Sequence, residues 1–206
     1  MTKARQAAAR PETQGSTTEP LRAADRIRRS ARDLFYHQGI RAVGVDAIVA
    51  EAGVTKPSLY RNFASKDELA AAYLHDYETV FWSRFDAAVA AHPGDPRAQI
   101  LAFFEGLADR VANMPGYRGC GLTNAAIEYP EPDHPARLVS VANKQQVRER
   151  LIDMARRMGA RDPQVLGDGL QLLMEGAYAS SQLLRVGGPV QHLPVVAARL
   201  IDASLQ

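Results

Sequence analysis

The chain is expected to fold entirely from α-helices, three short ones in an N-terminal head and six in a larger body. Three observations point there. Apolar residues recur at three- and four-residue spacing through most of the 206 residues. Cap residues open these runs, and Gly or Pro closes them. No segment shows the sustained polar–apolar alternation, or the turn chemistry between such segments, that marks a strand pair.

Residues 1–17 are Ala, Thr, Gln, Gly and Pro with scattered charge and offer no apolar face. They read as a disordered, weakly basic arm carrying Lys3, Arg5 and Arg10. The first helix is expected over Glu19–Gln38. Thr18 serves as its cap, Pro20 sits in its first turn, and Gly39 takes the left-handed position that ends it. Ala24, Ile27, Ala31, Leu34 and Phe35 form its apolar face.

Two short helical patterns follow, Val45 to Ala52 and Lys56 to Phe63, around a tight turn at Gly53. Val45, Ile48, Val49, Ala52, Val54, Leu59 and Phe63 face inward. Thr55 caps the second helix of the pair, which leaves Thr55, Lys56, Ser58, Tyr60, Arg61 and Asn62 on its outer surface. Hydroxyls and cations at the start of an exposed helix suit the contacts a DNA groove and its phosphates offer. Ser65-Lys66-Asp67-Glu68 reads as a capping box opening the next helix, with Lys66 and the helix N-terminus both able to face a phosphate.

Charge supports this reading. The net +2 divides unevenly: residues 1–66 hold 12 Lys and Arg against 6 Asp and Glu, whereas residues 67–206 hold 13 against 17. A basic head on a mildly acidic body is the asymmetry expected when one end meets nucleic acid.

The segment from Ile27 to Tyr73 resembles the DNA-binding domain of the tetracycline-repressor (TetR/AcrR) family of bacterial transcription regulators. The resemblance is carried by Ala31, Leu34-Phe35, Gly39, Val45-Asp46-Ala47-Ile48, Ala52-Gly53-Val54, Leu59-Tyr60-Arg61-Asn62-Phe63 and Ser65-Lys66-Asp67-Glu68-Leu69. It implies a helix-turn-helix head over 18–66 and a helical ligand-binding and dimerisation body over 67–206. It further implies a homodimeric repressor released from a palindromic operator when a small molecule fills the body. Lys56, Ser58 and Tyr60 fall at the family's DNA-contact positions, with Tyr60 and Lys66 on phosphate. Many members carry Thr or Ser just before the second helix; this chain has Val43-Gly44. The missing phosphate contact is expected to pass to backbone N–H groups around Gly44 or to Arg41.

In the body, helices are expected over Lys66–Ala91, from Asp95-Pro96 to Met114, over Cys120–Glu128, over Asp133–Met158 with Asp133 as cap, from Asp162-Pro163 to Gly187-Gly188, and over Leu193–Leu205. Phe81, Trp82, Phe85, Phe103, Phe104, Leu107, Leu122, Ile127, Leu173, Met174 and Tyr178 are candidates for a pocket lining, with Asn124, Glu128, Gln171 and Glu175 as its polar groups. The segment GCGLTNAAIEYPEPDHP also resembles a stretch in the bodies of some family members. By resemblance the last two helices, about 162–205, are the dimer interface. Gly169, Gly176, Ala177, Ala179 and Ser180 allow close approach there, Leu172, Leu173, Leu183 and Leu184 supply apolar area, and Leu193, Val196, Ala197, Leu200 and Ile201 form a stripe on the last helix.

Other classes find little support. The lone Cys120 makes no intramolecular disulfide and reads as a small buried residue rather than a reactive thiol. No apolar run is long enough to span a membrane, so a cytoplasmic protein without a membrane partner is expected. No Gly-rich phosphate loop, nucleophile elbow or metal-spaced histidine pair is present. Neither catalytic residues, a metal site nor a cofactor is expected. The alternatives are a DNA-binding regulator without a ligand and an enzyme with a DNA-binding head.

Overall fold

The computed structural model describes residues 21–184 and 187–205. Among them are nine α-helices and no strand: α1 Ala23–Gln38, α2 Val45–Ala52, α3 Lys56–Asn62, α4 Lys66–Ala91, α5 Pro96–Asn113, α6 Gly121–Glu128, α7 Pro135–Arg157, α8 Pro163–Leu183 and α9 Leu193–Leu205. A single 3₁₀ turn, Pro189–His192, precedes α9. No described helix is long and apolar enough to cross a membrane.

Local chemistry sets most boundaries where the sequence put them. Thr55, Ser65, Asp95 and Asp162 each accept a hydrogen bond from the backbone N–H three residues on, at 3.4, 3.0, 3.0 and 3.0 Å. Gly53 adopts the left-handed conformation at φ 61°, ψ 42°, the turn that separates α2 from α3.

Four expectations need correction. Helix α1 begins at Ala23 and has no side-chain cap at Arg22; Thr18 and Pro20 lie outside the described residues, as does the 1–17 arm. Gly39 does have positive φ, at 92°, but its ψ of 148° makes it an extended glycine conformation rather than a left-handed cap. The cap of α7 is His134, whose Nδ1 accepts from the Ala136 N–H at 3.2 Å, not Asp133. Helix α8 stops at Leu183, short of Gly187, where Leu184 leaves the helical conformation at φ −121°, ψ 80°.

The head core is Ile27, Ala31 and Phe35 of α1 against Ile48, Ala52, Leu59 and Phe63. Helix α4 then joins head to body. Its first turns give Leu69, Ala70, Tyr73 and Leu74 to the head side, and Phe35 meets Tyr73 edge-on at 5.7 Å. Farther along, Phe81 and Phe85 pack on Phe103 of α5 at 5.7 and 4.9 Å. Helices α7 and α8 lie against each other at Gly167, where any Cβ would come within 2.5 Å of Ile152 Cγ1.

Helices α8 and α9 present an apolar outer face. Leu172 and Leu183 are 72% and 83% exposed, with Val165, Leu184, Val195 and Val196 alongside. The small and apolar residues grouped in the sequence divide here. Ala197 and Ile201 are fully buried within the chain, and Gly169 admits Leu200 of its own α9, whereas nothing approaches Gly176 within 4 Å of a Cβ position.

Candidate functional site

Helix α3 owes its outer face to its inner one. Leu59 and Phe63 are buried, so Lys56, Tyr60, Arg61 and Asn62 point outward, and Tyr60 is half exposed although it is a large aromatic. Several of these side chains already have intramolecular partners. Thr55 Oγ1 accepts the Ser58 N–H as the cap. Asn62 Nδ2 donates to the Ser58 carbonyl at 2.7 Å, which spends that amide inside the helix. Lys56 Nζ lies 2.8 Å from Asp46 Oδ1 of α2, and this carboxylate holds the ammonium above the ordinary lysine pKa. Tyr60 and Arg61 make no side-chain hydrogen bond among the described residues. Gly44 caps α2 in an extended conformation (φ −80°, ψ 154°) that any residue can adopt, with open space beyond its Cβ position.

Arg41 and Lys66 are occupied elsewhere than the sequence reading placed them. The Arg41 N–H donates to Glu128 Oε2 of α6 at 2.7 Å, and its guanidinium reaches Glu131 at 3.1 Å and lies 5.0 Å from the centre of the Tyr129 ring. Lys66 Nζ donates to the Arg41 carbonyl at 3.3 Å. Glu128 also lies over Gly39, where a Cβ would meet its carboxylate at 3.1 Å. These contacts clasp the α1–α2 loop of the head to α6 of the body. The pattern S-K-D-E disclosed the α4 cap, but nothing in the sequence pairs Arg41 with residues 87 and 90 positions away.

A cavity of about 670 Å³ opens between head and body. Its walls come from α1 (Asp25, Arg28, Arg29, Arg32, Asp33, Tyr36, His37), from α4 (Tyr73, Asp76, Tyr77, Val80, Phe81, Arg84), from α5 and the segment after it (Phe103, Arg110, Met114, Tyr117), and from Tyr178 of α8. This size holds a drug-sized ligand. Five of the chain's seven tyrosines line it. Burial pushes the hydroxyls of Tyr36, Tyr73, Tyr77, Tyr117 and Tyr178 above the ordinary tyrosine pKa, so all five are neutral donors and acceptors. Tyr36 accepts from the Arg118 N–H at 2.9 Å and, like Tyr77, donates to the Gly119 carbonyl.

The fifteen expected pocket residues scatter; Leu122 is fully buried in the core, and Leu173 borders an apolar groove along α8 and α9. Phe81, Phe103 and Tyr178 line this cavity. Phe85, Phe104, Leu107 and Met174 are buried in the body core. Trp82 lies at the α4–α7 surface, 5.6 Å from the Arg150 guanidinium. Asn124, Ile127 and Glu128 border a crevice of about 190 Å³ between α1 and α6. Gln171 and Glu175 border another between α6, α7 and α8, where Lys144 Nζ meets Glu175 at 2.6 Å and Cys120 Sγ at 3.4 Å. Sequence reasoning missed Tyr36, Tyr73, Tyr77, Arg84, Arg110 and Tyr117. The signal available was the Tyr73–Tyr77–Phe81–Arg84 spacing, which places four residues along one face of α4. No group of three or more metal-binding side chains occurs among the described residues.

Comparison with known proteins agrees with the geometry of the head and extends to the body. A family model described as bacterial regulatory proteins of the tetR family matches residues 27–73. The crystal structure of a TetR-family transcriptional regulator from Streptomyces coelicolor is 31% identical, covers 89% of this chain and 94% of its own, and superposes with a TM-score of 0.79. Transcriptional regulator AcuR of Cereibacter sphaeroides is 28% identical over 163 residues, 75% of this chain and 74% of that protein. The HTH-type transcriptional activator FasR of Mycolicibacterium smegmatis is 35% identical over 79 residues, 37% of this chain and 36% of that protein. With α3 exposed on a helix-turn-helix head and the similarity running through the body, the chain belongs to the TetR family of DNA-binding transcriptional regulators.

Proposed function

We propose that the protein is a homodimeric repressor that leaves a palindromic operator when a small molecule enters the cavity between α1 and the body. One observation carries this reading: the cavity of about 670 Å³ is walled on one side by α1, a helix of the head, and on the other by α4, α5 and α8. A ligand there presses on both units at once. Helix α4 is continuous from the head core to Phe85, so displacement at Tyr77 or Phe81 moves the head. Two-fold DNA binding requires half-sites about 34–36 Å apart, and a shift of a few ångströms between the two α3 helices weakens it. The operator contacts in this reading are Thr55, Lys56, Ser58, Tyr60 and Arg61, with the α2 backbone at Gly44. Lys66 supports the head by holding the Arg41 carbonyl.

The dimer forms through the exposed apolar face of α8 and α9. Leu172 and Leu183 supply area that a monomer would leave in water, and the open Gly176 allows close helix approach. The DNA-binding head occupies about 18–66 and the body 67–206.

The name of the Mycolicibacterium relative supports a second reading, activation of transcription by the same DNA-binding face. The test begins with a search of the DNA flanking the protein's own gene for an inverted repeat. Footprinting and anisotropy on that duplex should show a dimer bound, and a molecule that fills the cavity should lower the affinity. A saturating cavity ligand that leaves operator affinity unchanged refutes the release mechanism. Increased transcription in the bound state favours activation.

A further inference from the structure

We infer that the cavity is built for a small organic anion, a carboxylate carried on an aromatic or apolar body, with Arg110 and Arg84 holding the charged end. This rests on the reading of the cavity as the effector site and adds the ligand's chemistry to it.

Charge is not balanced along the cavity wall. Eight charged residues line the cavity, and two of its arginines are neutralised in place: Arg28 lies 3.2 Å from Asp76, and Arg32 lies 3.0 Å from Asp33. Arg29, Arg84 and Arg110 have no carboxylate partner among the described residues, against the single remaining acid Asp25. The wall therefore carries surplus positive charge in a chain whose net charge is only +2.

Arg110 is the most telling of the three. It stands in the last turn of α5, where the helix C-terminus tolerates a cation, and its guanidinium lies over Gly106 with Nη1 3.4 Å from that residue's Cβ position. Its neighbours in the cavity are Tyr77, Tyr117, Tyr178 and the second cation, Arg84. Burial, and then the like charge of Arg84, pull its pKa below the ordinary arginine value, while Tyr178, Tyr117 and Tyr77 act in the opposite sense. Two guanidinium groups lining one cavity without a carboxylate partner repel when the site is empty and become favourable once an anion sits between them. A planar carboxylate matches the guanidinium fork. The hydroxyls of Tyr117 and Tyr178 make no hydrogen bond among the described residues, and both residues line the cavity. Phe81, Phe103, Val80 and Met114 complete the wall with apolar surface, which sets the rest of the ligand as an aromatic ring or alkyl chain.

The test titrates the full-length protein with benzoate, cinnamate and hexanoate, each beside its uncharged amide, by calorimetry and thermal shift. At least one acid should bind, and its amide should bind about 10-fold or more weakly, because the charge-assisted hydrogen bonds are lost. Arg84→Gln, at an exposed side chain, and Arg110→Gln should each weaken the acid by about 10-fold and leave the amide unaffected. Arg110→Lys, which keeps the charge but not the fork, should fall between, and it guards against a folding defect in the Gln variant. Acids and amides binding alike, acid binding indifferent to both arginines, or no acid binding at all would each overturn the anion assignment. The effector reading itself stands or falls separately, on whether a cavity ligand of any charge changes operator affinity.

Discussion

The contact between Glu128 and the Arg41 N–H allows a sharp prediction, because two neighbouring interactions of different kinds can be ranked. In the first, a carboxylate on half-buried Glu128 accepts a backbone N–H at 2.7 Å. A hydrogen bond with one charged partner contributes about 1.5–3 kcal/mol, and partial exposure places this one at the low end, about 1.5 kcal/mol. The second is the Arg41–Glu131 ion pair, with both side chains 55% exposed, and such pairs contribute about 0.2–1 kcal/mol. Glu128→Ala should therefore destabilise by about 1.5 kcal/mol and Glu131→Ala by less than about 1 kcal/mol. For a chain of this size, 1 kcal/mol shifts Tm by about 2–4 °C, so Glu128→Ala should lower Tm by about 3–6 °C. Urea unfolding followed by circular dichroism, with thermal scans beside it, reads both values. Glu128→Gln keeps an acceptor and should lose less. The clasp joins head to body, so Glu128→Ala should also weaken the link between cavity occupancy and operator affinity. Equal destabilisation by the two alanine variants, or a larger effect at Glu131, refutes the assignment of Glu128 as the principal tie.

Other outcomes follow from the same geometry. Gly44→Ser adds a cap to α2 in open space and a conformation serine adopts freely; it should stabilise the fold by a few tenths of a kcal/mol in urea unfolding and tighten operator binding through a new hydroxyl. Asp46→Ala releases Lys56 from its intramolecular partner and should raise operator affinity at low salt, measured by anisotropy. If α8 and α9 form the proposed dimer interface, Leu172→Asp together with Leu183→Asp should leave only monomer in sedimentation velocity, against dimer for wild type, with the helical circular dichroism intact, since both side chains lie outside the core. Gly167→Ala should destabilise the body markedly in thermal scans, because its Cβ would lie 2.8 Å from the Ile152 backbone nitrogen.

The head was legible in the sequence because its determinants are local. Thr55 and Ser65 cap helices three residues on, Gly53 supplies one left-handed turn, and Leu59 and Phe63 fix which face of α3 is outward. The body's helices were legible for the same reason, with errors where two local signals competed: Asp133 and His134 both suit a cap, and the histidine takes it. The cavity was not legible because its walls meet over long separations. Tyr36, Tyr73, Tyr117 and Tyr178 come from four segments, and an aromatic such as Phe104 has the same local pattern as Phe103 while facing the closed core. The roles of Arg41 and Lys66 were hidden likewise. The Arg41 partners on α6 and in the loop beyond it meet it only once the head has docked on the body, and the Lys66 partner is a backbone carbonyl 25 residues away, which no side-chain pattern marks.

The claim that α3 carries operator recognition meets its most direct test in the salt dependence of operator affinity. Wild type, Lys56→Ala, Tyr60→Ala and Arg61→Ala would be compared with Arg156→Ala on the distant end of α7 as a control. The α3 variants should bind the operator more weakly, and Lys56→Ala should lower the salt slope by about one, while the α7 control binds as wild type does. Wild-type affinity and slope in all three α3 variants would contradict it.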